Sequence, residues 1–167
     1  MTSRPIPYAR AAGAAAMEQA MSEQTTDDPW IPAEVYGRGL RGFGVNLLVR
    51  DIARAVAFQT EVLGVALVHA DRDFAVLRHG GHEWMLHADH AYRSHPLLAL
   101  TGDGAIRGAG IELRLYGIDP DAAEARARDG GFTVLAAAAD KPHGLRECYL
   151  ADRDGYVWVP GSALPGS

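Results

Sequence analysis

A short stretch in which apolar and polar residues alternate, Gly110 to Tyr116, places the strongest constraint on the fold. Ile111, Leu113 and Leu115 would share one face of a β-strand, because side chains on a strand alternate between the two faces of a sheet. The stretch Gly44 to Val49 has the same alternation. Each stretch leads into an acidic residue, an alanine-rich helical segment, a glycine and another apolar run. The chain therefore predicts two copies of one structural unit.

The first copy predicts the element order β-α-β-β-β. Asp51 would cap a helix that ends near Gly64, since glycine tolerates the positive φ found just after many helices. Three short strands follow at 65–69, 73–78 and 83–87, and the glycine-containing segment 79–82 forms the turn between the last two.

The second copy repeats this order. Asp119 begins a helix at 122–128, Gly130 and Gly131 end it, and strands follow at 132–136, 145–151 and 156–160, with a loop at 137–144 and a turn at 152–155. The offset between the copies is 66 if the strand starts are matched, or 68 if the helix caps are matched. At the last strand it is 74, which pairs Trp84 with Trp158. Insertions in loops account for this growth.

We expect five segments: an N-terminal leader or arm at 1–42, the first βαβββ module at 43–88, a linker at 89–109, the second module at 110–161 and a tail at 162–167. One helical turn is predicted in the linker, near Pro96 to Leu100. In the leader a helix is predicted from about Ala9 to Ser22, and its composition predicts a mobile or loosely docked segment. The other interpretation is an arm that packs on a partner subunit, anchored by Trp30 to Tyr36.

Composition excludes several classes of protein. Cys148 is the only cysteine among the 167 residues, so the chain has no intramolecular disulfide and no thiolate zinc cluster, which suits a reducing cytoplasm. The net charge is -5 and the basic residues are not clustered, which argues against a nucleic-acid surface. No apolar run approaches the roughly 20 residues that a membrane helix needs.

One helix on each half-sheet leaves the other face of both sheets uncovered, and the two uncovered faces would enclose a cleft. The residues expected under the helices are Val45, Leu47, Val49, Trp84, Ile111, Leu113, Leu115 and Trp158. Those expected to line the cleft are Gly44, Asn46, Glu83, Met85, His87, Gly110, Glu112, Arg114, Val157 and Val159.

Several motifs accompany the repeat: Val49-Arg-Asp-Ile-Ala-Arg-Ala-Val-Ala-Phe58, Val62-Leu-Gly64, Gly80-Gly-His-Glu-Trp-Met-Leu-His87 and Asp152-Arg-Asp-Gly-Tyr156. As a set, over about residues 43 to 161, they resemble the vicinal oxygen chelate superfamily of glyoxalases, bleomycin resistance proteins and extradiol dioxygenases. The resemblance implies an α+β fold in which tandem βαβββ modules form a U-shaped cleft, often completed in a dimer.

Enzymes of that superfamily hold a divalent metal in the cleft with His and Glu ligands from four strands. Carried over by the resemblance, three of the ligand positions fall on Gly44, Met85 and Val159. The fourth falls on Gly110 or Glu112, depending on the offset. At least three of the four positions therefore lack an oxygen or nitrogen side-chain ligand, so we expect no metal and no other cofactor.

This departure favours a binding protein over an enzyme: a metal-free homodimer that sequesters a small organic ligand. Glu112 could accept from an amine or hydroxyl, Arg114 could grip a carboxylate or phosphate, and His143 lies in a loop that would cover the cleft. Which face of the strand 145–151 lines the cleft stays open. The candidate ligand-binding residues are Asn46, Glu83, Met85, His87, Glu112, Arg114, His143, Tyr149 and Val159.

Two alternatives remain. One is an enzyme of this fold, a lyase, isomerase or dioxygenase, that uses displaced metal ligands or takes Glu112, His87 or His143 as acid or base; no catalytic residue is assigned. The other is a regulatory or assembly subunit whose cleft is filled by Met85, Val157 and Val159.

Overall fold

The computed structural model describes residues 30–92, 94–102 and 104–166. The helices are α1 (Ala33–Gly39), α2 (Ile52–Ala57), which continues as a π-helical turn (Phe58–Val62), and α3 (Pro120–Asp129). The strands are β1 (Asn46–Val49), β2 (Ala66–Ala70), β3 (Phe74–His79), β4 (His82–Ala88), β5 (Glu112–Tyr116), β6 (Thr133–Asp140), β7 (Leu145–Ala151) and β8 (Val157–Ala163). The linker contains two 3-10 turns (Asp89–Ala91 and Pro96–Leu100), of which the second was predicted.

The strands form two four-stranded sheets of identical topology. The first sheet has the order β1-β4-β3-β2 and the second β5-β8-β7-β6. In both sheets the first and last strands of the module pair in parallel, while the remaining pairs are antiparallel. The predicted tandem βαβββ modules and the α+β class are therefore confirmed.

The predicted helix and turn signals act as expected. The Asp51 carboxylate accepts a hydrogen bond from the backbone N–H of Arg54, and Asp119 caps α3 in the same way. Gly64 follows the first helical segment with φ 72°, a backbone conformation that residues with a Cβ avoid. These local signals place each helix across one face of its sheet.

The helix-covered faces of the two sheets share one hydrophobic core. Trp84 on β4 and Trp158 on β8 contact each other there, with ring centroids 5.8 Å apart. Phe58 meets Phe132 edge-on at 4.8 Å. Because both helix-covered faces point into this core, the other face of each sheet lies outside it. We call these outer surfaces the first and second helix-free faces.

Gln59 joins this core through a hydrogen bond. Its amide oxygen accepts the indole N–H of Trp84 at 2.6 Å, and the side chain is buried. Trp158, the repeat counterpart of Trp84, donates instead to the carboxylate of Asp152 at 2.9 Å. A buried indole N–H needs an acceptor, so each module supplies one from its own sequence.

Two expectations, about the extent of β6 and the burial of Ile111, were wrong. Strand β6 runs on to Asp140, where a loop was predicted, because its alanine-rich end pairs with β7. Ile111 was expected under a helix but is 55% exposed, since β5 begins only at Glu112, after a turn at Gly110 with φ 84°.

The linker is fastened to both modules by Arg107, whose side chain is 1% exposed. Its guanidinium donates to both carboxylate oxygens of Asp89, at 2.6 and 2.7 Å, and to the carbonyl oxygen of Leu48 on β1 at 3.0 Å. Asp154, which precedes β8, lies 3.6 Å away and also pairs with Arg50. A single arginine thus ties the connecting segment to strand β1 of the first module and to the turn before β8 in the second.

Candidate functional site

The first helix-free face carries an aromatic cluster around His87. The ring Nδ1 lies 2.6 Å from the amide oxygen of Asn46, and Nε2 lies 3.1 Å from the hydroxyl of Tyr92. Phe74 packs on the imidazole at 4.6 Å and Tyr92 meets it edge-on at 4.5 Å. Both ring nitrogens are engaged, so in its neutral form the imidazole fits this site without an unpaired group.

The segment Trp30 to Gly39 covers part of this same face. The indole of Trp30 stacks on His69 at 4.2 Å with an 8° interplanar angle, and Phe74 is 5.4 Å away. Tyr36 on α1 approaches the face beside Glu83; burial and the Glu83 charge raise its pKa. The predicted anchor, Trp30 to Tyr36, therefore contacts the chain's own first sheet. The helix predicted from Ala9 to Ser22 and the rest of 1–29 lie outside the described residues.

Burial lowers the pKa of His87 below its ordinary value of 6.5, with Asp71 opposing this shift and His95 adding to it. At pH values between the lowered pKa of the folded chain and about 6.5, the unfolded chain binds more protons at His87 than the folded chain does. The contribution of His87 to the free energy of unfolding therefore rises with pH across this window and is lost on acidification.

We expect NMR titration to place the His87 midpoint below that of exposed histidines. A His87→Gln variant should lose this part of the acid sensitivity, and an unshifted midpoint would contradict the burial argument.

The second helix-free face carries a charged cluster around Arg114 on β5. The guanidinium donates to Glu112 Oε2 at 2.8 Å, to Glu147 Oε1 and to the hydroxyl of Tyr116 at 3.1 Å. Burial alone would lower the pKa of Arg114, but its hydrogen bonds to Tyr116, Glu112 and Tyr149 and the Glu147 charge outweigh that effect and raise it. The arginine stays cationic and fixes the carboxylates around it.

Strand β7 contributes Glu147 and Tyr149 to this face. Its odd-numbered side chains at these positions therefore lie on the helix-free side, which the sequence had left open. Cys148 and Leu150 point into the core instead, and the Cys148 thiol donates to the carbonyl oxygen of Pro120 at 3.3 Å. Burial raises the pKa of that thiol to about 12. Sequence reasoning missed Glu147, although a carboxylate one residue before a buried cysteine on an alternating strand was the available signal.

The remaining predicted residues separate into two groups. His143 joins the charged cluster, with its Nε2 3.2 Å from Glu147 Oε1. Met85 is partly buried on β4, and Val159 is 1% exposed on β8. Glu83 is paired with Arg78 at 2.5 Å on the first face. The structure thus gathers Glu112, Arg114, His143 and Tyr149 on one face and Asn46, Glu83, Met85 and His87 on the other.

Strand register identifies the residues of this chain that stand at the metal-ligand positions of the vicinal oxygen chelate enzymes. Asn46 pairs with Met85 in the first sheet, and Arg114 pairs with Val159 in the second. The repeat offset on the first strands is therefore 68, which matches Gly44 with Glu112. Glycine, methionine and valine supply no hard donor, so this set does not fit the metal. No group of three or more His, Cys, Asp or Glu suited to a metal occurs within 30–92, 94–102 and 104–166.

Fold and site together define a paired-βαβββ protein with a helix-free face on each module. The family model described as the Glyoxalase/Bleomycin resistance protein/Dioxygenase superfamily matches residues 44–159, so the chain belongs to that superfamily. The comparison with curated proteins gave no match.

Several solved structures share this fold. A glyoxalase/bleomycin resistance protein/dioxygenase family enzyme from Burkholderia phytofirmans PsJN is similar at 21% identity and TM-score 0.60, over 72% of this chain and 97% of that one. A glyoxalase-related enzyme from Fulvimarina pelagi has 18% identity and TM-score 0.58, over 73% and 87%. A glyoxalase/bleomycin resistance protein/dioxygenase from Nocardioides has 22% identity and TM-score 0.55, over 92% and 95%. At these identities the likeness concerns the fold.

Proposed function

We propose that the protein binds a small organic ligand without a metal, between an aromatic and a charged helix-free face. The observation that carries this proposal is the loss of metal ligands: Gly44, Met85 and Val159 stand at three of the family's four metal positions. Aromatic and charged side chains occupy the surrounding faces. A planar ligand fits the first face because aromatic rings stack favourably on Phe74 and its neighbours.

The proposal includes a homodimer. The two helix-free faces of one chain lie on the outside of its shared core, so the U-shaped cleft joins the first face of one chain to the second face of another. Strands β1 and β5 both lie at sheet edges. Exposed apolar side chains stand beside these edges: Phe43 is 92% exposed and Ile111 55%. Unpaired edges next to apolar residues favour association of this kind.

Light scattering of the purified protein tests the dimer. We expect the mass of two chains, and a single chain for the double variant Phe43→Asp, Ile111→Asp, because charges on the apolar edge residues oppose the contact. The monomeric variant should keep its circular dichroism spectrum, since neither residue belongs to the core. A wild-type protein that remains a single chain at high concentration would contradict the proposed cleft.

The same proposal places the protein in the cytoplasm, away from nucleic acid. The described residues contain no helix that is long and apolar enough to cross a membrane. The single thiol is buried, which suits a reducing compartment.

Calorimetric titration with 2-naphthylmethanol in the presence of EDTA tests ligand binding. We expect saturable binding that EDTA does not weaken. Phe74→Ala should weaken it by about threefold to tenfold, as expected for the loss of one aromatic contact. An unchanged affinity in Phe74→Ala would move the ligand away from the first face. Absence of any heat would favour the filled-cleft alternative, in which Val159 and its neighbours leave no room.

A second candidate function rests on the contact between His143 and Glu147. A carboxylate beside an imidazole can orient the ring, as in acid–base catalysis. His143 is 56% exposed and could reach a substrate, whereas His87 already uses both ring nitrogens. An enzyme of this kind would lose turnover in His143→Ala while retaining its fold and its affinity for ligand.

A further inference from the structure

Glu147 is buried on the second helix-free face with half of its carboxylate unused. Its side chain is 1% exposed. Oε1 accepts from Arg114 and lies 3.2 Å from His143 Nε2. Oε2 is buried and has no hydrogen-bond partner within the part of the chain that the structure describes. A buried carboxylate oxygen without a donor is unfavourable, so this atom calls for a donor from outside the chain.

The charges around Glu147 point to the sign of that donor. Arg114 serves two carboxylates at once, those of Glu112 and Glu147, so its single positive charge does not neutralise the cluster. The ammonium of Lys141 lies over the ring of Tyr149, 5.2 Å from its centroid. Neither cation contacts Oε2, and a carboxylate oxygen binds a charged donor more strongly than a neutral one, which favours a cationic partner.

The backbone beneath Glu147 is shaped to hold it. Gly161 on β8 pairs with Glu147 across the sheet. A Cβ at Gly161 would lie 3.3 Å from Glu147 Cγ, so the glycine lets the carboxylate lie close against the strand. The repeat offset of 74 makes His87 the counterpart of Gly161, and the strand partner of His87 is Phe74, not an acid. The acidic position therefore belongs to the second module alone.

We propose that Glu147 accepts a hydrogen bond from a protonated amine of the ligand, which makes the ligand a planar aromatic cation. This inference rests on the proposed function and specifies its ligand class. The aromatic part lies on the first face and the ammonium reaches Oε2 on the second. Because Oε2 is buried, this contact requires side chains around the carboxylate, such as the exposed His143, to move.

Calorimetric titration with three naphthalene probes of similar shape tests the inference at about pH 7. The probes are 2-naphthylmethylamine, which is cationic, 2-naphthylmethanol, which is neutral, and 2-naphthylacetic acid, which is anionic. We expect the amine to bind about tenfold more tightly than the alcohol, as a charge-assisted hydrogen bond provides, and the acid to bind most weakly. In Glu147→Gln the preference for the amine over the alcohol should fall to within about twofold.

Glu61→Gln, which removes the same charge from an exposed site on the π-helical turn, is the matched control and should keep the tenfold preference. Equal binding of amine and alcohol by the wild-type protein would overturn the inference while leaving the proposed function intact, whether or not Glu147→Gln folds. A preference that survives in a folded Glu147→Gln protein would also overturn it. Absence of binding by all three probes would contradict both proposals.

Discussion

Replacement of Trp158 by alanine is expected to lower the free energy of unfolding by about 4 kcal/mol, or Tm by roughly 12 °C. The indole is 2% exposed and packs against Trp84, so its removal leaves a cavity where the two modules meet. It also deprives the Asp152 carboxylate of the indole N–H that it accepts at 2.9 Å. Urea denaturation followed by circular dichroism measures the change.

Trp158→Phe is the matched control. It keeps an aromatic ring in the core but removes the N–H donor, so a loss of about 1 to 2 kcal/mol is expected. A double-mutant cycle of Trp158→Ala and Trp84→Ala measures the contact itself, for which a coupling of about 0.5 to 1.5 kcal/mol is expected. A coupling of zero, or an alanine variant as stable as the phenylalanine variant, would contradict the shared core.

Replacement of Arg107 by alanine is expected to cost about 3 kcal/mol, because it removes the guanidinium that binds both carboxylate oxygens of Asp89. It also removes the hydrogen bond to the carbonyl oxygen of Leu48 and the positive charge 3.6 Å from Asp154. The linker should then come away from both modules, which limited proteolysis of the segment 89–109 would detect as faster cleavage.

Arg128→Ala provides the comparison for a solvent-exposed arginine. Arg128 pairs with Glu124 on the surface of α3 and is 57% exposed, so its removal should change the free energy of unfolding by less than about 0.5 kcal/mol. Equal effects at the two positions would mean that the buried network around Arg107 contributes little.

The sequence predicted the elements because local signals determine them. Asp51 and Asp119 cap the helices as expected, and the glycine-rich turn at 79–82 lies where it was placed. These features depend on residues within a few positions of one another. The extension of β6 to Asp140 was missed because pairing with β7, and not local propensity, decides it.

The site was only partly predictable. Alternation along a strand identifies residues that share a face but leaves open which face meets the helix, so Tyr149 was proposed without knowing its side. The burial of Cys148 in the core is what places Glu147 on the helix-free side of β7. The contact of Trp30 with His69 joins residues far apart in sequence and had no local signal.

The difference between the two faces follows from single substitutions within the repeat. Strand register matches Asn46 with Arg114, and the offset of 74 matches His87 with Gly161. The first module therefore presents an aromatic surface around His87 and the second a charged one around Arg114. A cleft that joins the two suits a ligand with an apolar ring at one end and a polar group at the other.

Metal content is the most direct test of the claim that this cleft binds its ligand without a metal. The purified protein would be incubated anaerobically with Fe, Mn, Ni and Zn salts, desalted and submitted to elemental analysis. We expect well below about one tenth of an ion per chain, because Gly44, Met85 and Val159 leave Glu112 as the sole donor among the four positions. One tightly held ion per chain, lost in Glu112→Ala, would contradict metal-free binding and would indicate a metal-dependent protein like the enzymes of its superfamily.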